Sequence, residues 1–270
     1  MKPMTLCLAI VTCPCDRFED NLHTCMNMIR TAAQTGADMV IFPEMNLTGY
    51  VTDQRVSFFS RPVESHLVQS LSRLSEELNL AILAGLAEKA DGRIYGSHLV
   101  FTPHTPWGKY QKLHIAPNEQ DVFSPGAQIP LFMHAGVRFG IQLCYDAHFP
   151  ELSTAMALNG ADLIVFPHAS PRGTDTDKFR SWMRHLPARA FDNGVFVAAV
   201  NQAGDNGAGL AFPGLSLAIG PDGKLISRSF SDDNHLHFVS LDPEDLAHVR
   251  SHRMRYFLPY RRKDLFPVTG

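Results

Sequence analysis

The chain is 270 residues long and 45% hydrophobic, enough to bury a substantial core without covalent staples. A formal charge of −3 offers no general basic field for nucleic acid, and no apolar run approaches the roughly 20 residues of a membrane span. The five cysteines are odd in number, and Cys13 and Cys15 stand one residue too close for C-x-x-C spacing, which points to a reducing compartment.

Thr5 to Val11 reads as a buried first strand and not as a secretion signal, since no A-x-A site follows it. The expected location is cytoplasmic. Phe18 to Thr35 repeats apolar residues at Leu22, Cys25, Met26, Ile29, Ala32 and Ala33, the period of an amphipathic helix, and Gly36 ends it. Ala37 to Phe42 is a short buried strand that closes on Pro43 and Glu44. Pro62 to Leu78 predicts a second helix with Pro62 in its first turn. Strands are expected at Leu80 to Glu88, Ile94 to Thr102 and Lys109 to Leu113, with a hairpin at Asp91 and Gly92. The stretch from His114 to Ile129, rich in Pro, Gly and Asn, is long for a loop, and such loops are usually functional.

In the second half, Phe139 to Leu143 is a buried strand, Cys144 stands at its end, and Leu152 to Asn159 is helix-like. Thr176 to Asp192 predicts one long helix ended by Gly194. Strands are expected at Val195 to Val200, Leu215 to Ile219, Lys224 to Ser229 and His237 to Leu241, the middle pair turning at Pro221, Asp222 and Gly223. A short helix from Pro243 and a basic, aromatic tail from Arg253 to Arg262 complete the chain; the tail is expected to pack at a subunit interface.

One internal echo organises these elements. Arg30 to Glu44 reads R-T-A-A-Q-T-G-A-D-M-V-I-F-P-E, and Thr154 to His168 reads T-A-M-A-L-N-G-A-D-L-I-V-F-P-H. A helix, a glycine stop, a buried strand and a proline thus occur twice, predicting two similar α/β halves whose sheets face one another. Glu44 and His168 fall at matching strand ends near the seam. With no linker or low-complexity segment, residues 1–270 are expected to form a single domain.

The residues able to do chemistry lie at such strand ends. A cysteine at a strand-to-helix turn projects into a cleft and leaves the following N–H, that of Tyr145, free to hold an oxyanion. Cysteine attacks a carbonyl or nitrile carbon well only as thiolate, so a base or a cation is needed. Glu44, shielded from water, is the candidate base, and Lys112 the candidate cation, which would favour the thiolate and then the oxyanion. The 13 histidines show no H-E-x-x-H or comparable spacing, so no metal and no cofactor is assigned.

Three motifs resemble the nitrilase superfamily of carbon-nitrogen hydrolases across nearly the whole chain: F-P-E-x-x-x-T-G-Y (Phe42 to Tyr50), Y-Q-K-L-H (Tyr110 to His114) and G-I-Q-L-C-Y-D-x-x-F-P-E (Gly140 to Glu151). The resemblance implies that Glu44 is the general base, Lys112 the oxyanion stabiliser and Cys144 the nucleophile. N-E-Q-D-V-F-S-P-G is similar to the family segment bearing a second structural or catalytic glutamate, which maps to Glu119. It further implies a four-layer αββα sandwich with internal pseudo-two-fold symmetry, assembled as a homodimer or higher homo-oligomer, and covalent hydrolysis through a thioester.

Tyr145 and Asp146 after the cysteine look like the amidase and carbamoylase branch, so a small-molecule amide or ureido substrate is expected, with nitrile hydrolysis as the alternative. The sites where relatives carry carboxylate-binding arginines are here Ala147 and His148, which argues against N-carbamoyl-D-amino-acid cleavage. Arg172 is a candidate to hold a substrate carboxylate instead. Tyr50, His148 and His168 are further candidate substrate contacts, and Tyr50, Trp107 and Trp182 candidate pocket walls. Three rival classes remain at this point: a binding protein on the same fold, a thiol-redox protein using Cys13 and Cys15, and a papain-like peptidase that would need a histidine partner.

Overall fold

The computed structural model describes residues 3–265. The first half runs β1 (Met4–Ile10), α1 (Phe18–Gln34), β2 (Met39–Ile41), a single-turn α2 (Val56–Phe59), α3 (Ser65–Leu78), β3 (Ala81–Ala90), β4 (Arg93–Phe101) and β5 (Gly108–Gln111). The second runs β6 (Phe132–His134), β7 (Val137–Ile141), α4 (Pro150–Leu158), β8 (Leu163–His168), α5 (Asp175–Trp182), α6 (Leu186–Asn193) and β9 (Phe196–Asn201). A small hairpin, β10 (Gly204–Asp205) and β11 (Ala211–Phe212), precedes β12 (Leu215–Ile219), β13 (Leu225–Phe230), β14 (His235–Leu241) and α7 (Pro243–Ser251).

Two six-stranded sheets result, ordered β14-β1-β2-β3-β4-β5 and β6-β7-β8-β9-β12-β13. Read in that direction, both sheets pair antiparallel, parallel, parallel, antiparallel, antiparallel. The last strand of the chain therefore completes the first sheet in the position that β6 holds in the second. In β1, Leu6, Leu8 and Ile10 enter the core shared with the second sheet, while the alternate residues Cys7 and Ala9 pack with Leu22, Cys25 and Ile29 of α1 and with Leu67 and Leu71 of α3. This is the two-residue period of a strand buried on both faces. Leu152 and Met156 of α4 and Leu186 and Ala190 of α6 cover the second sheet, completing the expected αββα layering.

The sequence echo is reproduced bond for bond. Gly36 and Gly160 both turn left-handed, at φ 89° and 91°. The following alanine N–H returns to the helix in each case, Ala37 to Ala32 O and Ala161 to Met156 O, both at 3.0 Å. Asp38 Oδ2 accepts from Thr5 N–H at 2.7 Å, and Asp162 Oδ2 accepts from Arg138 N–H at 3.1 Å. Each aspartate thus stitches its strand to the one before, so the Gly-Ala-Asp tripeptide sets the register of a parallel pair in both halves.

Two expectations are corrected. Thr176 to Asp192 is not one helix: α5 ends at Trp182 and α6 begins at Leu186. Pro187 supplies no N–H for the bond a continuous helix would need, and its ring crowds the preceding turn. Pro62 lies ahead of the second helix, which starts at Ser65. The Asp91 and Gly92 hairpin is present, with both residues at positive φ, 50° and 73°, as a tight primed turn requires.

Candidate active site

Glu44 follows β2 in a turn pinned to the neighbouring strand: Asn46 Oδ1 accepts from Gly85 N–H at 2.8 Å and Thr48 Oγ1 from Ala87 N–H at 2.9 Å. Its carboxylate is wholly buried. Oε1 accepts from Lys112 Nζ at 3.0 Å, Oε2 accepts from Ala169 N–H at 3.1 Å, and the Glu44 carbonyl accepts from Gln202 Nε2 at 2.8 Å. Lys112 comes just past β5 and donates also to both oxygens of Glu119, at 3.0 and 2.8 Å. Tyr50 donates its phenol to Glu119 Oε1 at 2.5 Å, and Ala116 N–H donates to Oε2 at 3.1 Å.

Cys144 opens a short 3-10 turn, Cys144–His148, and holds φ 42°, a left-handed conformation unusual for a residue with a β-carbon. Asp146 stabilises it. This buried carboxylate accepts from Leu143 N–H at 3.0 Å, His114 N–H at 2.9 Å and the Tyr110 phenol at 2.7 Å, and its Oδ1 lies 2.8 Å from His114 Nδ1. Asp146 ties the cysteine turn to the lysine strand, a role the sequence reading missed although the residue sits inside the quoted motif. The Tyr145 N–H donates to no acceptor among the described residues.

Lys112, Glu119, Cys144, Tyr145, Tyr50, His148 and Arg172 all line one cavity of about 840 Å³, with Ala169 and Ser170 on the wall next to Glu44. His168 does not join them. It lies behind that wall, its Nδ1 2.8 Å from Phe166 O and its ring against Trp182, so as a direct substrate contact it is corrected to a core residue. Trp182 is core as well, and Trp107 stacks on Phe101 at the protein surface, so neither is a pocket wall.

Burial pushes the Glu44 carboxyl up to about 7, with Lys112 pulling it down and Glu119 pushing it up. Burial alone would lower Lys112, yet Glu44 and Glu119 outweigh it and hold the ammonium above its ordinary range. The Cys144 thiol is pushed up to about 12, by burial first and by the Glu44 charge second, against a smaller pull from Lys112. Lys112 thus favours the thiolate, as expected, but burial and the Glu44 charge oppose it. The lysine charge is already shared between two carboxylates, which weakens its pull on the sulfur.

The carbon-nitrogen hydrolase family model matches residues 7–251. The chain belongs to the carbon-nitrogen hydrolase family. A solved mutant amidase from Nesterenkonia AN1, of the nitrilase superfamily, aligns with this hydrolase at a TM-score of 0.80 and 26% identity, covering 97% of this chain and 95% of that one. Another form of that amidase carries the acetamide moiety of fluoroacetamide covalently at its active-site cysteine. An (R)-stereoselective amidase from Pseudomonas sp. is 32% identical over 231 residues, 85% of this chain and 82% of that relative. A nitrilase from Pyrococcus abyssi is 27% identical over 258 residues, 92% of this chain and 93% of its own length. The hydrolase thus acts on carbon-nitrogen bonds that are not peptide bonds.

Proposed function

We propose that this hydrolase cleaves a small amide or ureido compound through a thioester on Cys144, releasing ammonia or an amine. The observation that carries the reading is one cavity in which Cys144 faces a buried Lys112 already bonded to Glu44 and Glu119. Glu44 takes the Cys144 proton as sulfur bonds to the acyl carbon, and the carbonyl electron pair moves onto oxygen. Protonation of Glu44 removes one of the two counter-charges on Lys112, so its field turns to the new oxyanion, alongside the Tyr145 N–H. The carbon-nitrogen bond then breaks and the leaving nitrogen takes the proton from Glu44. Water adds to the thioester, giving its proton to Glu44, and the carboxylic acid departs as sulfur recovers that proton. Glu119, clamped by Tyr50 and Ala116, positions Lys112 throughout.

The acyl adduct in the Nesterenkonia amidase supports this course. The test is an ammonia-release screen over amides, ureido acids and nitriles, with intact-mass measurement of the quenched enzyme. Ammonia from amides or ureido acids and an acyl mass on Cys144 are expected. Release from nitriles alone would redirect the substrate class, and no adduct with any compound would overturn the mechanism.

Three further properties belong to the same proposal. The described residues act as one domain, supported by the core that both sheets share. The free cysteines suit a reducing, cytoplasmic setting; among the described residues no helix is long and apolar enough to cross a membrane. Exposed Phe191, Met254, Phe257 and Tyr260 near α6 and the tail suit a homo-oligomer, for which sedimentation should give at least twice the mass of one chain.

A further inference from the structure

The catalytic cluster is short of positive charge. Glu44 and Glu119 set two carboxylates against the one ammonium of Lys112, which leaves one net negative charge among three buried side chains. Transfer of the Cys144 proton to Glu44 moves that charge onto sulfur without reducing it. A cation on the sulfur's side of the cluster favours the move, because an unanswered charge is costly away from water.

Lys178 of α5 is such a cation. It is buried, at 7% exposure, and pairs with no carboxylate among the described residues. The acids of its own helix are engaged elsewhere: Asp177 Oδ2 accepts from the Thr174 hydroxyl at 2.8 Å and Asp175 Oδ1 from the Thr176 hydroxyl at 3.1 Å. The Lys178 ammonium donates to Ser170 Oγ, and Ser170 lines the same cavity as Cys144. Because that oxygen accepts from Lys178, the Ser170 hydroxyl proton is free to donate into the cavity. The backbone here is fixed to the site. Ala169 N–H donates to Glu44 Oε2 at 3.1 Å, while Ser170 N–H donates to Asn201 Oδ1 at 2.9 Å and its carbonyl accepts from Asn201 Nδ2 at 3.1 Å. One short segment after β8 therefore touches the candidate base and holds the buried lysine. The charges agree with this placement. Burial lowers the Lys178 ammonium, the Cys144 charge raises it and Arg172 lowers it. On Cys144, burial and Glu44 push the thiol up, Lys112 pulls it down, Glu119 pushes it up and Lys178 pulls it down.

We propose that Lys178, acting through the Ser170 hydroxyl, is a positioning residue that supports negative charge on Cys144 during acylation. The proton still passes from sulfur to Glu44, and no bond to Lys178 or Ser170 forms or breaks. The Ser170 hydroxyl, polarised by the ammonium behind it, donates toward the thiolate, and the Lys112 charge is left for the oxyanion. This inference rests on Cys144 as the nucleophile of the amidase reading above and deepens it.

The test is the rate of Cys144 alkylation by iodoacetamide, followed by peptide mass, a reaction that needs no substrate. A rise of about one unit in the thiol cuts the thiolate about tenfold, and the greater basicity of that thiolate returns about threefold. Lys178→Met should therefore alkylate about threefold or more slowly than wild type at pH 8. Lys178→Arg keeps the cation and should restore most of the rate, which a loss of packing alone would not predict. Ser170→Ala, which removes the hydroxyl and leaves the lysine, should slow alkylation in the same direction, and it carries the comparison if Lys178→Met does not fold. With the best amide of the screen above, kcat should fall in parallel while KM stays within about twofold. An unchanged alkylation rate in Lys178→Met or in Ser170→Ala, or a fall that Lys178→Arg leaves uncorrected, overturns the role of Lys178 and leaves the amidase reading standing. Failure of every amide to acylate Cys144 removes the amidase reading, whatever the alkylation rates.

Discussion

At the scale of single residues, the proposed mechanism runs on one proton. Glu44, its carboxyl pushed up to about 7, is matched to work at neutral pH, and Cys144, pushed up to about 12, calls for such a base beside it. Because the raised carboxyl is protonated below its pKa, kcat/KM should fall as pH drops through about 7. A pH-rate profile tests this, and an acid limb found nearer the ordinary carboxylate range would remove Glu44 from the role of base. Glu44→Gln should cost about 100-fold or more in kcat, the usual yield of general acid-base catalysis. Lys112 is structural as well as chemical. Lys112→Met leaves two buried carboxylates unanswered and should destabilise the fold by about 3–5 kcal/mol in urea denaturation at pH 8. Without the cation the Glu44 carboxyl, which Lys112 pulls down, titrates higher still, so the loss should shrink as pH falls and it takes up a proton. A loss that is the same at pH 5 and pH 8 would contradict that account.

At the scale of elements, the cysteine turn holds a strained residue and is braced from outside. Cys144 at φ 42° is kept there by Asp146, which accepts from Leu143 in its own segment and reaches Tyr110 on β5 and His114 beyond it. Asp146→Ala strands the Tyr110 hydroxyl and two N–H groups in a dry region, at a cost of about 3 kcal/mol for a broken buried network. The measurable consequences are a lowered Tm and a changed rate of Cys144 alkylation by iodoacetamide. Unchanged values for both would show that the turn holds itself. The Glu44 turn is pressed equally close to its strand: a β-carbon on Gly85 would come within 2.6 Å of Met45 N, so β3 admits only glycine there without displacing the turn beside Glu44.

At the scale of the whole molecule, the catalytic groups are assembled by stacking one sheet on the other. Glu44 and Lys112 belong to the first sheet's side of the seam and Cys144 and Ala169 to the second's, and Leu6, Leu8 and Ile10 fill the space between. Leu8→Ala, which opens a void in that shared layer, should cost about 2–5 kcal/mol. Its urea unfolding should remain a single transition whether followed by fluorescence or circular dichroism. Two separated transitions would mean that the halves fold as independent units and would overturn the one-domain proposal.

Much of this was written in local sequence. The Gly-Ala-Asp repeat announced two equivalent halves because each copy satisfies its own hydrogen bonds within a few residues, and strand and helix periods likewise report short-range geometry. Glu44, Lys112 and Cys144 were legible because each follows a buried strand in a recognisable motif. Pro187, overlooked as a helix breaker, was equally visible. What only the tertiary structure decided depends on distance through space. Lys112 spends its charge on two carboxylates, so its pull on Cys144 is outweighed by burial and by Glu44. His168 turns into the core although its repeat partner Glu44 bears on the site. Lys178, an ordinary letter in a helix, is buried and donates to Ser170 because α5 packs against the core. Coulomb energy and desolvation are set by which groups meet and how much water leaves, and a linear order of residues specifies neither.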